Sequence, residues 1–562
     1  MDISWGLLRV LTDVGCACTR SKPGLQFAIL LFFLAQPLIT LNARCLANPE
    51  SVSLSLAWAL QDDPLQEGLA ALKENHLDVA LERLTAAERQ SPTNANIRNF
   101  LGIVFAQMGR NSEAASEYQE AIRLDPKLED AYRNLGFLEW TDHNLEAART
   151  HLNQALDIAS EDAFAHYYLG RVQLDAKLYE SAFKELDRSQ VPWPADVNFL
   201  LQVATGYLAL GRPDEARRTL DRLRTMQLRD AETVSVAALL ISAHENDAAI
   251  DLLRKLKTRM NSANAGWAQF DLALAYLLSA DYAKAADQAH GLLKTQAAKG
   301  AMAPEAGSAW SLIGIARARL QQRDAAVDAF RQACKLNASR EEHWLNLTRE
   351  LMDLNRYAEA ISAVQKGLTS IPTSYALHLR LGAAYLASDR YSDAESVFRQ
   401  LTAAGDPLPT SYVGLAQVLL RTGRAEEAVS ELTTAQQNLG SSFLISYFRG
   451  LALNRAGRAQ EAVSAFEEAT QLDPNSSEAH LELGKTELAT GRVRDAVTEL
   501  QASLRLDSGN VQAQRLLSKA YRRAGDERAA SQAVQASAAK KPSPEAELLG
   551  DFLLPEWEFP RD

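Results

Sequence analysis

Glycine and alanine recur in this chain at a fixed interval, and that interval restricts the fold more than any other feature. Steps of 34 residues from Gln61 place Gly68, Gly102, Gly136 and Gly170 in one column. Ala80, Ala114, Ala148 and Ala182 form a second column twelve residues further on. Pro92, Pro126 and Pro194 fall near the ends of their units, with Ser160 in the third. The register runs into a fifth unit from Val197. It loosens through two irregular units that keep Ala237 with Ala249 and Ala273 with Ala285, and an insertion at 299–306 resets it. From Gly307 the step holds for seven more units. Their first column reads Gly314, Thr348, Gly382, Ala416, Gly450, Gly484 and Ser518, and their second is alanine each time, from Ala326 to Ala530. A fixed period of this length marks one repeated supersecondary unit rather than a string of globular domains.

Inside each half-unit the apolar residues follow helical spacing, as do Leu381 and Tyr385 in one helix and Ala394, Phe398 and Leu401 in its partner. Two antiparallel helices approach closely only where their contact residues are small. Gly382 and Ala394 are therefore the contact, and Phe398 fills the space beside it. The turn between the helices often reads Gly-Arg, as in Gly109-Arg110, Gly211-Arg212, Gly423-Arg424, Gly457-Arg458 and Gly491-Arg492. Glycine there accepts the left-handed conformation that ends a helix. Pro372, Pro474 and Pro542 stop second helices. The expected fold is all-α: an α-solenoid of about fourteen helix–turn–helix units, seven over 61–298 and seven over 307–542.

The small-residue pair, the aromatic between the columns and the closing proline resemble the tetratricopeptide repeat. One unit carrying the motif reads Leu101-Gly102, Phe105, Ala114, Tyr118, Ala121 and Pro126; another reads Trp344, Leu347, Leu351, Ala360, Val364 and Pro372. The resemblance implies a right-handed superhelix whose first helices line a concave groove. It also implies a protein partner, held in that groove as an extended peptide or a helix. Carried onto this chain, the groove-facing positions are Arg133, Phe137 and Trp140 in the third unit, and Phe164, Tyr167 and Arg171 in the fourth. The last unit supplies Arg515, Lys519 and Arg522, with Arg523 beside them. Aromatics beside arginines are the composition of binding hot spots. Two known groove types are not matched. Asn346 and Arg349 are too isolated for a carboxylate clamp, and Asn134 and Asn346 do not make an asparagine ladder.

No catalytic, cofactor or metal site is legible. The nine histidines are scattered, and none pairs with another at ligand spacing. Neither a His-Glu-x-x-His nor a Gly-x-Ser-x-Gly pattern occurs. Gly484-Lys485-Thr486 echoes a phosphate loop, but Ala479 stands where that loop needs glycine, and Gly484 belongs to the packing column. The net charge of −12 argues against a general nucleic-acid binder, which needs a basic face. Of four cysteines only Cys334 lies in the repeats, so disulfides do not hold them, and Cys334 is expected in the core.

The two ends read differently from the repeats. Arg9, Arg20 and Lys22 precede an apolar run over 25–41, which is the order of a secretory signal. Gln36 and Pro37 interrupt the run, which is short against the roughly 20 residues of a spanning helix. Residues 1–60 are thus expected to be a signal peptide cut after Ala47 or Ala59, or an uncleaved anchor, plus a short linker. That anchor would be the only membrane contact. The expected setting is the periplasm or cell envelope of a bacterium. There the chain would be a non-catalytic scaffold for assembly, secretion or export, or else a regulatory subunit of an envelope enzyme whose catalytic chain is separate. The tail over 543–562 holds six acidic residues against one arginine, together with Leu548, Leu549, Phe552, Leu553, Leu554, Trp557 and Phe559. It is expected to dock on the last repeats near the basic residues at 515–523.

Overall fold

A computed structural model of the chain describes residues 63–257, 265–298, 305–404 and 408–538. The N-terminal segment with its expected cleavage sites, most of the 299–306 insertion and the 543–562 tail lie outside the described residues. Among those described, 28 α-helices and no strand occur, from Pro64–Lys73 to Glu527–Ala538, and they pair into fourteen helix–turn–helix units. The chain divides into two compact units, residues 2–271 and 272–562, and each is taken by itself below. The division falls within the helix Ala265–Leu278, ahead of the 299–306 insertion and inside the stretch where the small-residue columns are loosest.

The columns do what close packing requires. All fourteen second-column alanines, Ala80 through Ala530, are fully buried. A β-carbon added at Gly382 would lie 2.7 Å from the ring of Phe398, so no larger residue fits there without moving that ring. Phe398 is itself fully buried. Gly414, on the first helix of the following unit, closes the other side of the same ring. The large side chain of each second helix is therefore a wedge between its own first helix and the next one. Cys334 is buried in the C-terminal compact unit, where burial pushes its thiol up to about 12. That fits a small core residue rather than a reactive thiolate.

Each first helix ends on one left-handed residue, fourteen in all. Six are glycines, such as Gly423 (φ 78°) and Gly457 (φ 79°), and eight are not, among them Lys177 (φ 61°), Ala280 (φ 59°) and Asp389 (φ 56°). The backbone closes in the same way around both kinds. The Arg458 N–H donates to the Leu453 carbonyl at 2.9 Å, and the Leu178 N–H donates to the Gln173 carbonyl at 2.8 Å.

First helices of successive units pack on one another within both compact units, whereas second helices of successive units make no comparable contact among the described residues. Each unit is thus wedge-shaped, and the shared face of the first helices is locally the inner one.

A left-handed alanine carries a steric penalty that glycine lacks. Ala280→Gly is therefore expected to stabilise the chain by about 1 kcal/mol, and Gly423→Ala to destabilise it by about 1 kcal/mol. Urea midpoints check both, and equal midpoints would remove the turn conformation from the energetics.

Candidate protein-binding face

Three successive first helices of the N-terminal compact unit build this face: Glu129–Thr141, Ala163–Asp175 and Val197–Ala209. The second and third begin on a carboxylate that fixes their start. The Asp162 carboxylate accepts from the Phe164 and Ala165 N–H groups at 2.9 and 3.1 Å, and Asp196 accepts from Phe199 at 2.6 Å.

The cap of the second helix does further work. Asp162 also receives the Arg133 guanidinium from the preceding unit, and Asp130 receives its other arm. The Arg133 side chain is 15% exposed and that of Asp162 only 8%. Burial alone would lower the guanidinium, but Asp130 and Asp162 together hold it above its ordinary value.

An aromatic floor lies alongside. The Phe137 ring is 4.8 Å from Tyr168 and 5.8 Å from Trp140, and Tyr167 meets Tyr168 edge-on at 5.6 Å. The Tyr168 hydroxyl is pushed well up, first by burial. Trp140 Nε1 donates to Asp175 at 2.5 Å, and Gln202 Nε2 donates to the other oxygen of the same carboxylate at 2.7 Å. Arg171 lies over three rings: Phe199 at 4.6 Å, Trp140 at 4.9 Å and Tyr167 at 5.8 Å. Its Nη1 donates to the Tyr167 hydroxyl at 2.9 Å. Such cation–ring contacts contribute about 0.5–2 kcal/mol each, depending on desolvation.

The structure thus brings Arg133, Phe137, Trp140, Phe164, Tyr167 and Arg171 together, with a graded exposure. Phe137, Trp140 and Tyr167 are buried, because neighbouring first helices cover them. They form a floor rather than a set of projecting contacts. Phe164 and Arg171 are half-buried and are the members that reach the surface. Arg133 is committed to two carboxylates and serves the floor as an internal tie. Arg515, Lys519 and Arg522 belong to the other compact unit and are exposed.

Sequence reasoning missed the supports, Asp162, Asp175, Gln202, Phe199 and Tyr168. It also missed a second feature, in the C-terminal compact unit. Arg349 on Glu341–Asp353 and Arg380 on Tyr375–Ala387 share the field of Asp353. Arg380 is buried and pushed down to about 10, by burial first and by Arg349 second, against the pull of Asp353. Among the described residues no group of three or more His, Cys, Asp or Glu could hold a metal, and no helix is long and apolar enough to cross a membrane.

Three family models described as tetratricopeptide repeat match the chain. They cover residues 65–129, 134–197, 413–477 and 481–545 in one case, 351–407 and 453–504 in another, and 307–340 in the third. Together they span more than half of the sequence, and the chain belongs to the tetratricopeptide repeat family. Among curated proteins it is similar to tetratricopeptide repeat protein 37 of Xenopus laevis, with 24% identity over 65% of this chain and 23% of that protein. It is also similar to tetratricopeptide repeat protein 21B of Mus musculus, with 28% identity over 29% of this chain and 13% of that protein. The matched stretches are less than a third of the length of either relative. Among solved structures, yeast Tom70 aligns over 86% of this chain and 99% of its own at 15% identity, with a TM-score of 0.38. The Cut9–Hcn1 hetero-tetramer of the APC/C aligns over 83% of this chain and 98% of the matched one at 14% identity, with a TM-score of 0.34. Solenoids of this family are protein-interaction scaffolds as a rule.

Asp162 holds a helix start and a buried cation at once. Asp162→Ala is expected to cost about 3 kcal/mol, as removal of one partner of a buried pair does. Asp130→Ala, on the exposed side of the same arginine, is expected to cost about 1 kcal/mol or less. Urea titration of both variants checks the contrast, and equal costs would contradict it.

Proposed function

We propose that this chain is a non-catalytic scaffold that holds a partner protein on the inner face of its first helices, in the bacterial cell envelope. One observation carries the reading: half-buried Phe164 and Arg171 stand on a rigid floor of Phe137, Trp140, Tyr167 and Phe199, tied by Asp162 and Asp175. A fixed aromatic surface bearing one planar cation suits an extended segment or helix that offers apolar and carboxylate side chains. Little side-chain entropy is left to lose on docking, which favours affinity. The envelope setting is supported by the basic-then-apolar order ahead of residue 41.

The test is affinity capture of the partner from envelope extracts by the full chain and by Phe164→Ala and Arg171→Ala. Truncating a hot-spot residue costs about 2 kcal/mol, so each variant is expected to hold its partner roughly thirtyfold less tightly. Undiminished capture by both variants, with circular dichroism unchanged, would overturn this placement of the site.

A further inference from the structure

Second helices of successive units do not pack closely on one another, but in the C-terminal compact unit side chains cross between them. Between the eighth and ninth units Arg331 reaches Glu359 at 2.5 Å, and Arg356 reaches Asp324 at 2.9 Å. Between the tenth and eleventh, Arg399 meets Glu431 at 3.0 Å and Arg424 meets Glu395 at 2.8 Å. Between the eleventh and twelfth, Arg458 meets Glu426 at 3.0 Å, and the Gln436 amide donates to Glu468 at 3.0 Å. Arg492 of the thirteenth unit continues this ladder to Glu467 of the twelfth at 3.0 Å. Arg356, Arg424, Arg458 and Arg492 each follow the left-handed turn residue of their unit. Each also holds an acid three residues on in its own helix.

One joint inside this ladder is untied. Arg390 of the tenth unit also follows a left-handed residue, Asp389, and holds Asp393 of its own helix at 2.6 Å. Arg356 and Arg458 find their second acid 32 residues back, at Asp324 and Glu426. The residue at that offset from Arg390 is Ala358, which is exposed and carries no charge. Arg390 instead lies over the ring of Tyr385 in its own unit, at 4.5 Å. Among the described residues no ion pair or hydrogen bond joins the second helix Tyr357–Ser370 to the second helix Tyr391–Ala403. On the inner side of the same joint the first helices Glu341–Asp353 and Tyr375–Ala387 remain packed on each other.

We propose that the C-terminal compact unit bends at the joint between the ninth and tenth units, about the packed first helices as pivot, while the ion-pair ladder holds the joints on either side. Each exposed pair is weak alone and is weakened further by salt. Two or more ties per joint still fix the spacing of helices whose outer sides do not otherwise touch. Bending changes the angle between the first helices that carry Arg349 and Arg380, so the ladder leaves one adjustable place on the inner face of this compact unit. High ionic strength loosens the tied joints toward the same freedom.

The experiment measures distances between spin labels on the outer side of the full chain. Ser362, Ser396, Ser430 and Ser464 are all exposed and occupy one register position of four successive second helices. One protein carries Ser362→Cys with Ser430→Cys, and another carries Ser396→Cys with Ser464→Cys. Both carry Cys16→Ser, Cys18→Ser and Cys45→Ser, and buried Cys334 stays unlabelled. Each label pair spans two joints, but only the 362–430 pair spans the untied one. At about 20 mM salt the 362–430 distances are expected to spread roughly twofold wider than the 396–464 distances, and in about 1 M salt the second pair is expected to widen to match. Ala358→Glu gives Arg390 the acid that Arg356 and Arg458 have, and is expected to narrow the 362–430 spread to that of the other pair at low salt. Equal spreads at low salt would overturn the proposal. So would a wide 362–430 spread that Ala358→Glu leaves unchanged. Ala358 is exposed, so the packed repeats do not depend on it.

Discussion

The interaction on which this molecule depends is a wedge between two helices. A bulky second-helix side chain such as Phe398 is seated between a glycine of its own unit and a small residue of the next. No unit can cover its wedge alone, because half of the cover belongs to its neighbour. This single constraint accounts for the strict period and the unbroken alanine column. It also makes stability a sum of neighbour contacts, so each end of the array is a special place.

The same packing sets up the inner face. Because first helices lie closer to one another than second helices do, side chains on their shared face meet across unit boundaries. That is how Arg133 reaches Asp162, Trp140 reaches Asp175, and Asn134 bonds to Asn99 at 2.9 Å. Each contact joins residues about one repeat apart in sequence. Partly buried carboxylates tied to an arginine, an indole and an amide leave little freedom in the floor. The energy of folding thus preorganises this surface.

Much of this was legible in the sequence, because a repeat writes the same constraint many times. The columns located all fourteen helix pairs, and the register named six first-helix residues that the structure gathers into one cluster. What stayed hidden has physical reasons. Lys177 and Ala280 take the left-handed turn that glycine takes elsewhere, and nothing in their side chains announces it; the surrounding packing imposes it. The burial of Phe137, Trp140 and Tyr167 depends on how tightly neighbouring first helices close, which a register does not state. Asp162, Asp175 and Gln202 look like ordinary caps and helix-surface residues until the offset of about one repeat is applied to them. The division of the compact units at 271–272 lies in mid-helix and leaves no mark in composition.

The account places the partner on the inner face, and a photo-crosslinking residue built into the chain tests that placement most directly. It is introduced in living cells at position 164 on the inner face, and separately at position 153, which is exposed on the second helix Leu145–Ile158. The account expects a discrete protein adduct from position 164 and none from position 153. Adducts from 153 alone, or equally from both, would contradict it.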